Sequence, residues 1–140
     1  IYPHLTYLEA GRYEFVMEKI KKSFSAFVGP VFEDVCRDYL SHHRTLSKRW
    51  ASIGAWWDKN VEIDISALND DRELLLGECK WSDKLVGRSV YEELKGKALT
   101  IPERVKSTSF ILFSKSGFTP EMKRLASAEG IHLVSLKQMF

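Results

Sequence analysis

The sequence has only two cysteines, Cys36 and Cys79, both inside apolar segments. A disulfide framework is therefore excluded, and both are expected as reduced, buried thiols. There is no apolar run of membrane-spanning length and no secretory signal, so a soluble, cytoplasmic domain with no membrane partner is expected. Internal repeats and low-complexity tracts are absent, which excludes solenoids and flexible arrays. Charge of either sign is barely in excess: 21 Lys and Arg against 19 Asp and Glu leave a net +2. The total charge is thus a weak argument for a polyanion partner. What is present is ordinary for a globular protein: 44% apolar and 29% charged residues. A chain of 140 residues suits one domain with a real core. It begins at Ile1 and not at Met, so a piece of a longer polypeptide is expected, with a processed or trimmed N-terminus as the alternative.

Periodicity predicts the elements. Residues 1–11, with Pro3 and Gly11, show no helical period and read as a linker or edge segment. From Arg12 to Phe27 the apolar residues Tyr13, Val16, Met17, Ile20, Phe24 and Phe27 keep helical spacing. Gly29 and Pro30 are expected to break this helix and to start a second one, with Pro at its first turn. That second helix carries Val31, Phe32, Val35, Cys36, Tyr39 and Leu40 on one face. A basic loop follows, with His42, His43, Arg44, Lys48 and Arg49; it lacks any paired zinc spacing. Strands are expected at Ile53–Trp57, at Val61–Ala67 and around Leu74–Lys80. Ser82 or Asp83 is expected to cap a helix reaching about Ala98. Phe110–Phe113 reads as a buried strand, Thr119 and Pro120 open a helix ending at Gly130, and Ile131–Val134 is a last strand. The resulting order gives a mixed β-sheet flanked by helices on both faces.

The richest stretch is Val61 to Trp81. Val61, Ile63, Ile65 and Ala67 alternate with Glu62, Asp64 and Ser66, as in a strand with one apolar face. The turn N-D-D-R-E then returns the chain as L-L-L-G-E-C-K, an apolar run typical of a buried strand. An antiparallel hairpin lets Asp64 converge with Glu78 and Lys80. Three ionisable groups on buried strands are costly without partners. The cluster therefore suggests a metal site.

An acid on the second strand and E-x-K on the third, in the order helix, three strands, helix, strand, resembles the PD-(D/E)XK nuclease superfamily. The motif here is Ile63-Asp64, then Glu78-Cys79-Lys80, with Ile63 in place of the proline. The likeness covers about residues 30–135. More closely, F-V-G-P-V-F-E, I-G-A-W-W, E-I-D-I and G-E-C-K-W resemble the domain of unknown function at the C-terminus of archaeal and bacterial ATPases. The resemblance implies a restriction-endonuclease-like core with αβββαβ order, preceded by an extra N-terminal helix. It divides the chain into a linker and helix, 1–28, and a nuclease-like domain, 29–140. It also implies a P-loop ATPase on the same polypeptide, although no G-x-x-x-x-G-K-[ST] occurs in these residues.

The chemistry of the cluster follows from its donors. Phosphodiester hydrolysis must stabilise charge on the attacking water, the phosphorus and the leaving oxygen, and divalent metals do all three. Mg²⁺ or Mn²⁺ takes hard oxygen ligands, which Asp64, Glu78 and the backbone carbonyl of Cys79 supply. Lys80 would orient or deprotonate the water. Glu33 lies at the edge of an apolar helical stripe and can face the cleft; the resemblance supports it as a further acid, and a surface pair with Arg37 is the alternative. Glu62 shares a strand face with Asp64, as a second acid or a rim residue. Lys84, Arg88 and Lys95 are expected to form one stripe on the helix after the motif, and Arg44, Lys48 and Arg49 to join it against a phosphate backbone. Trp56, Trp57 and Trp81 read as core or cleft wall before base-stacking platforms, and Gly54 as allowing a bulge or close packing before binding phosphate. Two functions stay open: a metal-dependent nuclease acting on DNA, and a catalytically silent nucleic-acid-binding or interaction module of an ATPase. A second copy of the chain is a further expected partner.

Overall fold

The computed structural model describes residues 13–43, 48–102 and 104–140. In chain order the elements are α1 (Tyr13–His42), β1 (Ser52–Asp58), β2 (Val61–Leu68), β3 (Glu73–Lys80), α2 (Arg88–Ala98), β4 (Ser107–Ser114), α3 (Pro120–Glu129) and β5 (His132–Ser135). A short 3-10 turn, Leu136–Met139, ends the chain. The five strands form one sheet in the order β1-β2-β3-β4-β5. The first three pair antiparallel as a meander, and β3-β4-β5 pair parallel through the two helical crossovers. This is the expected α/β architecture, a mixed sheet flanked by helices in αβββαβ order.

The sheet is covered on both faces. On one, Leu74, Leu76 and Leu112 meet Tyr91 and Leu94 of α2 and Met122 and Ala126 of α3. On the other, Ile65, Leu75, Ile111 and Phe113 meet Phe32, Cys36 and Leu40 of α1. Burial on both faces explains why β3 and β4 read as unbroken apolar runs. Cys36 and Cys79 are free and buried in the second layer, as expected.

Two sequence expectations need correction. The first two predicted helices are a single helix, with Pro30 inside it. Proline removes the N–H that would bond the carbonyl of Ala26. Both Ala26 and Pro30 are exposed, so water can satisfy that carbonyl and the helix continues. The packing changes there even though the helix does not: burial against the sheet starts at Phe32, while Ile20, Phe24 and Phe27 stay exposed. The expected helix from Ser82 or Asp83 begins instead at Arg88, after an N-cap Gly87 with no side-chain cap bond. Val86 is held extended beside Phe118: its N–H donates to Gly117 O and its C=O accepts from Thr119 N. Backbone groups committed in that way cannot begin a helix. Ser82 serves the turn, accepting from Lys84 N, and Asp83 pairs with Lys115. Thr119 caps α3 as predicted, accepting from Met122 N, and Gly130 ends that helix at φ 72°.

Candidate metal and catalytic centre

The centre is built by an irregularity in β2. The β1–β2 ladder runs from Ser52↔Leu68 to Gly54↔Ser66 and resumes at Trp56↔Ile63. Asp64 and Ile65 thus stand opposite Ala55 alone, a bulge that reverses the alternation of the strand. Ile63 enters the layer under α2 and α3, whereas Ile65 and Ala67 enter the layer under α1. The expectation that Ile63 and Ile65 share a face is corrected accordingly. On the other side, the β2–β3 ladder stops at Ile65↔Gly77. Beyond it the Asp64 carboxylate replaces the backbone and accepts the Cys79 N–H, at 2.9 Å. The N–H and C=O of one strand residue point to the same side. The Cys79 carbonyl therefore also faces the gap between the splayed strands. Gly77 makes the close approach possible: a Cβ there would stand 2.7 Å from Ile111 Cγ2 and 3.2 Å from Ile65 Cβ.

Asp64 is the hub of the acids. Glu78 lies against it, 4% exposed. Burial, reinforced by the Asp64 carboxylate, pushes the Glu78 carboxyl up to about 7 against the opposing pull of Lys97. Lys97 of α2 donates to Glu78 Oε1 at 2.8 Å. On the side of α1, carboxylate oxygens of Glu33, Glu62 and Asp64 lie within 4.8 Å of one another. Burial, and then the Asp64 charge, raise the Glu33 carboxyl above its usual range. Arg37 borders the group, donating to Asp64 O at 2.8 Å and pairing with Asp34 at 2.6 Å. The expected alternative for Glu33, a surface pair with Arg37, is thus taken by Asp34.

Lys80 follows Glu78 by two positions on the same strand face, half-buried, and its ammonium makes no ion pair or hydrogen bond among the described residues. The predicted basic surface does not assemble as one stripe. Lys84 lies in the loop before α2; Arg88 pairs with Glu92 at 3.3 Å; Lys95 sits over the Tyr91 ring, 5.3 Å from its centroid. Lys48 is bound to Glu73 at 2.6 Å. Glu73 is five residues before Glu78 on β3, about 16 Å at 3.3 Å per strand residue. Lys48 thus belongs to the opposite end of the sheet. Arg49 is exposed beside Trp50, and Arg44 lies outside the described residues. Trp56 packs on the core, Trp81 packs on Phe32 at 5.2 Å, and Trp57 is exposed. Sequence reasoning missed Lys97, and it named Arg37 only as a surface partner of Glu33 and not as a donor to Asp64 O. The available signal for Lys97 was its spacing of three from the buried Leu94, which places it on the sheet-facing flank of the helix.

The donors suit a hard divalent cation: carboxylates of Asp64, Glu78, Glu33 and Glu62, plus the carbonyl of Cys79, all oxygen. Asp64 stands where the two strands part, with Glu33 and Glu62 gathered on it from the side of α1 and Glu78 set against it from β3. Among the described residues no helix is long and apolar enough to cross a membrane.

Comparison with known proteins bears on this arrangement. An uncharacterized protein of Methanocaldococcus jannaschii is 34% identical over 105 residues, which is 68% of this chain and 24% of that protein. The chain therefore spans about a quarter of that relative. The crystal structure of a protein of unknown function, AF1548, superposes with a TM-score of 0.54 at 21% identity, over 74% of this chain and 55% of the other. A repair endonuclease from Pyrococcus abyssi superposes less well, with a TM-score of 0.43 at 15% identity over 61% of this chain and 38% of the other. The family model that matches residues 1–107 takes in the long helix, the bulged hairpin and all the clustered acids, and the chain belongs to that family, DUF234, described as Archaea bacterial proteins of unknown function.

Proposed function

We propose that this domain hydrolyses phosphodiester bonds of DNA with Mg²⁺ or Mn²⁺. The observation that carries the reading is the splayed end of β2 and β3. There the Asp64 carboxylate spans from the Cys79 N–H to Glu78 on one side and to Glu33 and Glu62 on the other. Burial first, and then the neighbouring Asp64 carboxylate, hold the Glu78 and Glu33 carboxyls above their usual range, and a divalent cation would favour their charged forms. In this reading Asp64, Glu78 and the Cys79 carbonyl hold the metal, with Glu33 as the further acid. A bound metal would supply Lewis-acid charge at the phosphate and lower the pKa of a bound water. Lys80, unpaired among the described residues, orients the attacking water and its proton. Lys97 holds one oxygen of Glu78, which fixes the carboxylate and leaves the other oxygen for the site.

The working unit of this reading is residues 29–140. The segment before it would connect to the rest of a longer polypeptide, with an ATPase domain as the expected companion. A second reading, an interaction module, is favoured by one feature. Ile20, Phe24, Phe27 and Val31 form an exposed apolar stripe on α1, more than a hydrolytic role requires. Calorimetric titration with Mn²⁺ tests the site. Asp64→Asn and Glu78→Gln should lose binding, while Lys80→Ala should keep it and lose only cleavage. Undiminished binding by Asp64→Asn would refute the assignment.

A further inference from the structure

A second feature lies at the carboxyl ends of the parallel strands. An open cavity of about 730 Å³ is lined by Lys115, Lys123 and Lys137 together with Ser116, Ser135 and Gln138. No acidic residue lines it among the described residues. In a protein whose net charge is only +2, Lys123 and Lys137, with Lys115 neutralised in part by Asp83 outside the lining, make a local concentration of positive charge. The loop 81–87 forms its near wall: Ser116 Oγ donates to Ser82 O at 2.6 Å, Lys115 pairs with Asp83 at 2.8 Å, and exposed Lys84 stands in the same loop. Lys115 is also fixed over the Trp81 ring, 4.9 Å from its centroid. Lys123 and Lys137 are exposed.

The groove is aligned with the candidate centre by strand register. Lys80 pairs with Ser114 and Ser114 with Ser135. At about 4.8 Å between strands, Ser135 lies about 10 Å from Lys80. One strand of a duplex advances about 3.4 Å per nucleotide along the axis, so this is about three nucleotides. Carboxyl ends of parallel strands are also where open α/β sheets bind ligands.

We propose that this groove, and not the exposed face of α2, is the track for the phosphate backbone on its way to Lys80. The choice of nucleic acid as occupant rests on the hydrolytic reading above; the placement rests on the lysines and the register. Phosphates accept from ammonium groups without reading sequence, and Ser116, Ser135 and Gln138 add neutral hydrogen-bonding groups between them.

The test is a salt series of duplex and single-stranded DNA affinity, measured in Ca²⁺ so that binding is read without requiring turnover. Lys123→Gln/Lys137→Gln is compared with wild type and with Arg88→Gln/Lys95→Gln. Loss of two phosphate contacts should flatten the log–log salt slope by about 1.8 and weaken binding about 60-fold at 0.1 M salt, if the proteins converge at 1 M. The α2 variant should bind like wild type. An unchanged slope in the groove variant, a slope moved only by the α2 variant, or a groove variant impaired for polyglutamate but not for DNA would each overturn the proposal. Mn²⁺ calorimetry on the same variants keeps the two ideas apart. Intact metal binding with an unchanged salt slope removes the groove and leaves the hydrolytic site standing, whereas lost DNA binding with no metal binding in any variant does the reverse.

Discussion

The ion pair between Glu78 and Lys97 makes a prediction that can be worked through in numbers. Glu78 is 4% exposed, and its carboxyl is pushed from 4.5 up to about 7, first by burial and then by Asp64. A raised carboxyl means that the folded protein holds a proton that the unfolded chain releases. Stability must therefore fall as pH rises from about 4.5 to about 7 and then level off. The shift of about 2.5 pKa units corresponds to about 3 kcal/mol lost across that window at 1.36 kcal/mol per unit. Glu78→Gln removes the titrating group and keeps its shape. The stability difference, variant minus wild type, should become about 3 kcal/mol more favourable to the variant between pH 4 and pH 8. Lys97→Met should act in the opposite direction at high pH. Near pH 4 it should match wild type, because Glu78 is then neutral. Above pH 7 it should be less stable by about 1 to 3 kcal/mol, toward the low end because the Lys97 side chain is 29% exposed. Urea unfolding of the three proteins at closely spaced pH values reads all of this. Parallel pH profiles for wild type and Glu78→Gln would show that Glu78 is an ordinary carboxylate and would remove the electrostatic basis of the site.

Other expectations are independent of that one. Gly77→Ala should destabilise the fold by about 1 to 3 kcal/mol, because its Cβ would stand 2.7 Å from Ile111 Cγ2 and 2.9 Å from Ile111 O; a thermal melt checks it. Thr119→Ala should lower stability by about 1 kcal/mol through the lost cap on Met122 N, with DNA affinity unchanged. Mn²⁺ affinity should rise with pH up to about 7, since the proton on Glu78 competes with the metal; a flat profile by calorimetry would place the ion away from Glu78.

Much of this was legible in the chain. Strand identity and order followed from apolar runs and the N-D-D-R turn, because buried parallel strands and a meander leave distinct patterns. The convergence of Asp64 with Glu78 followed from the hairpin. What the sequence hid were events that break local rules for tertiary reasons. Pro30 reads as a helix break, yet it sits on the solvent side, where the lost bond is cheap. The run from Ser82 to Gly87 reads as helical, yet Val86 is claimed by the backbone of Gly117 and Thr119. Asp64 and Ile65 as the extra residues of the bulge are invisible in a strictly alternating strand, although Gly54 on the facing strand left room for a bulge or close packing there. Helical spacing from Leu94 could place Lys97 on the sheet-facing flank, but its pairing with Glu78, 19 positions away, lies beyond the reach of any helical or strand period.

The most direct test is cleavage of linear, supercoiled and single-stranded DNA with Mn²⁺ by the wild-type protein and by Asp64→Asn, which keeps an oxygen to accept the Cys79 N–H and so spares the fold. The account predicts Mn²⁺-dependent cleavage by wild type, abolished by chelation and reduced at least a hundredfold in Asp64→Asn. Equal cleavage by the two proteins, or a wild type that binds both Mn²⁺ and DNA yet cuts none of the three forms, would contradict it.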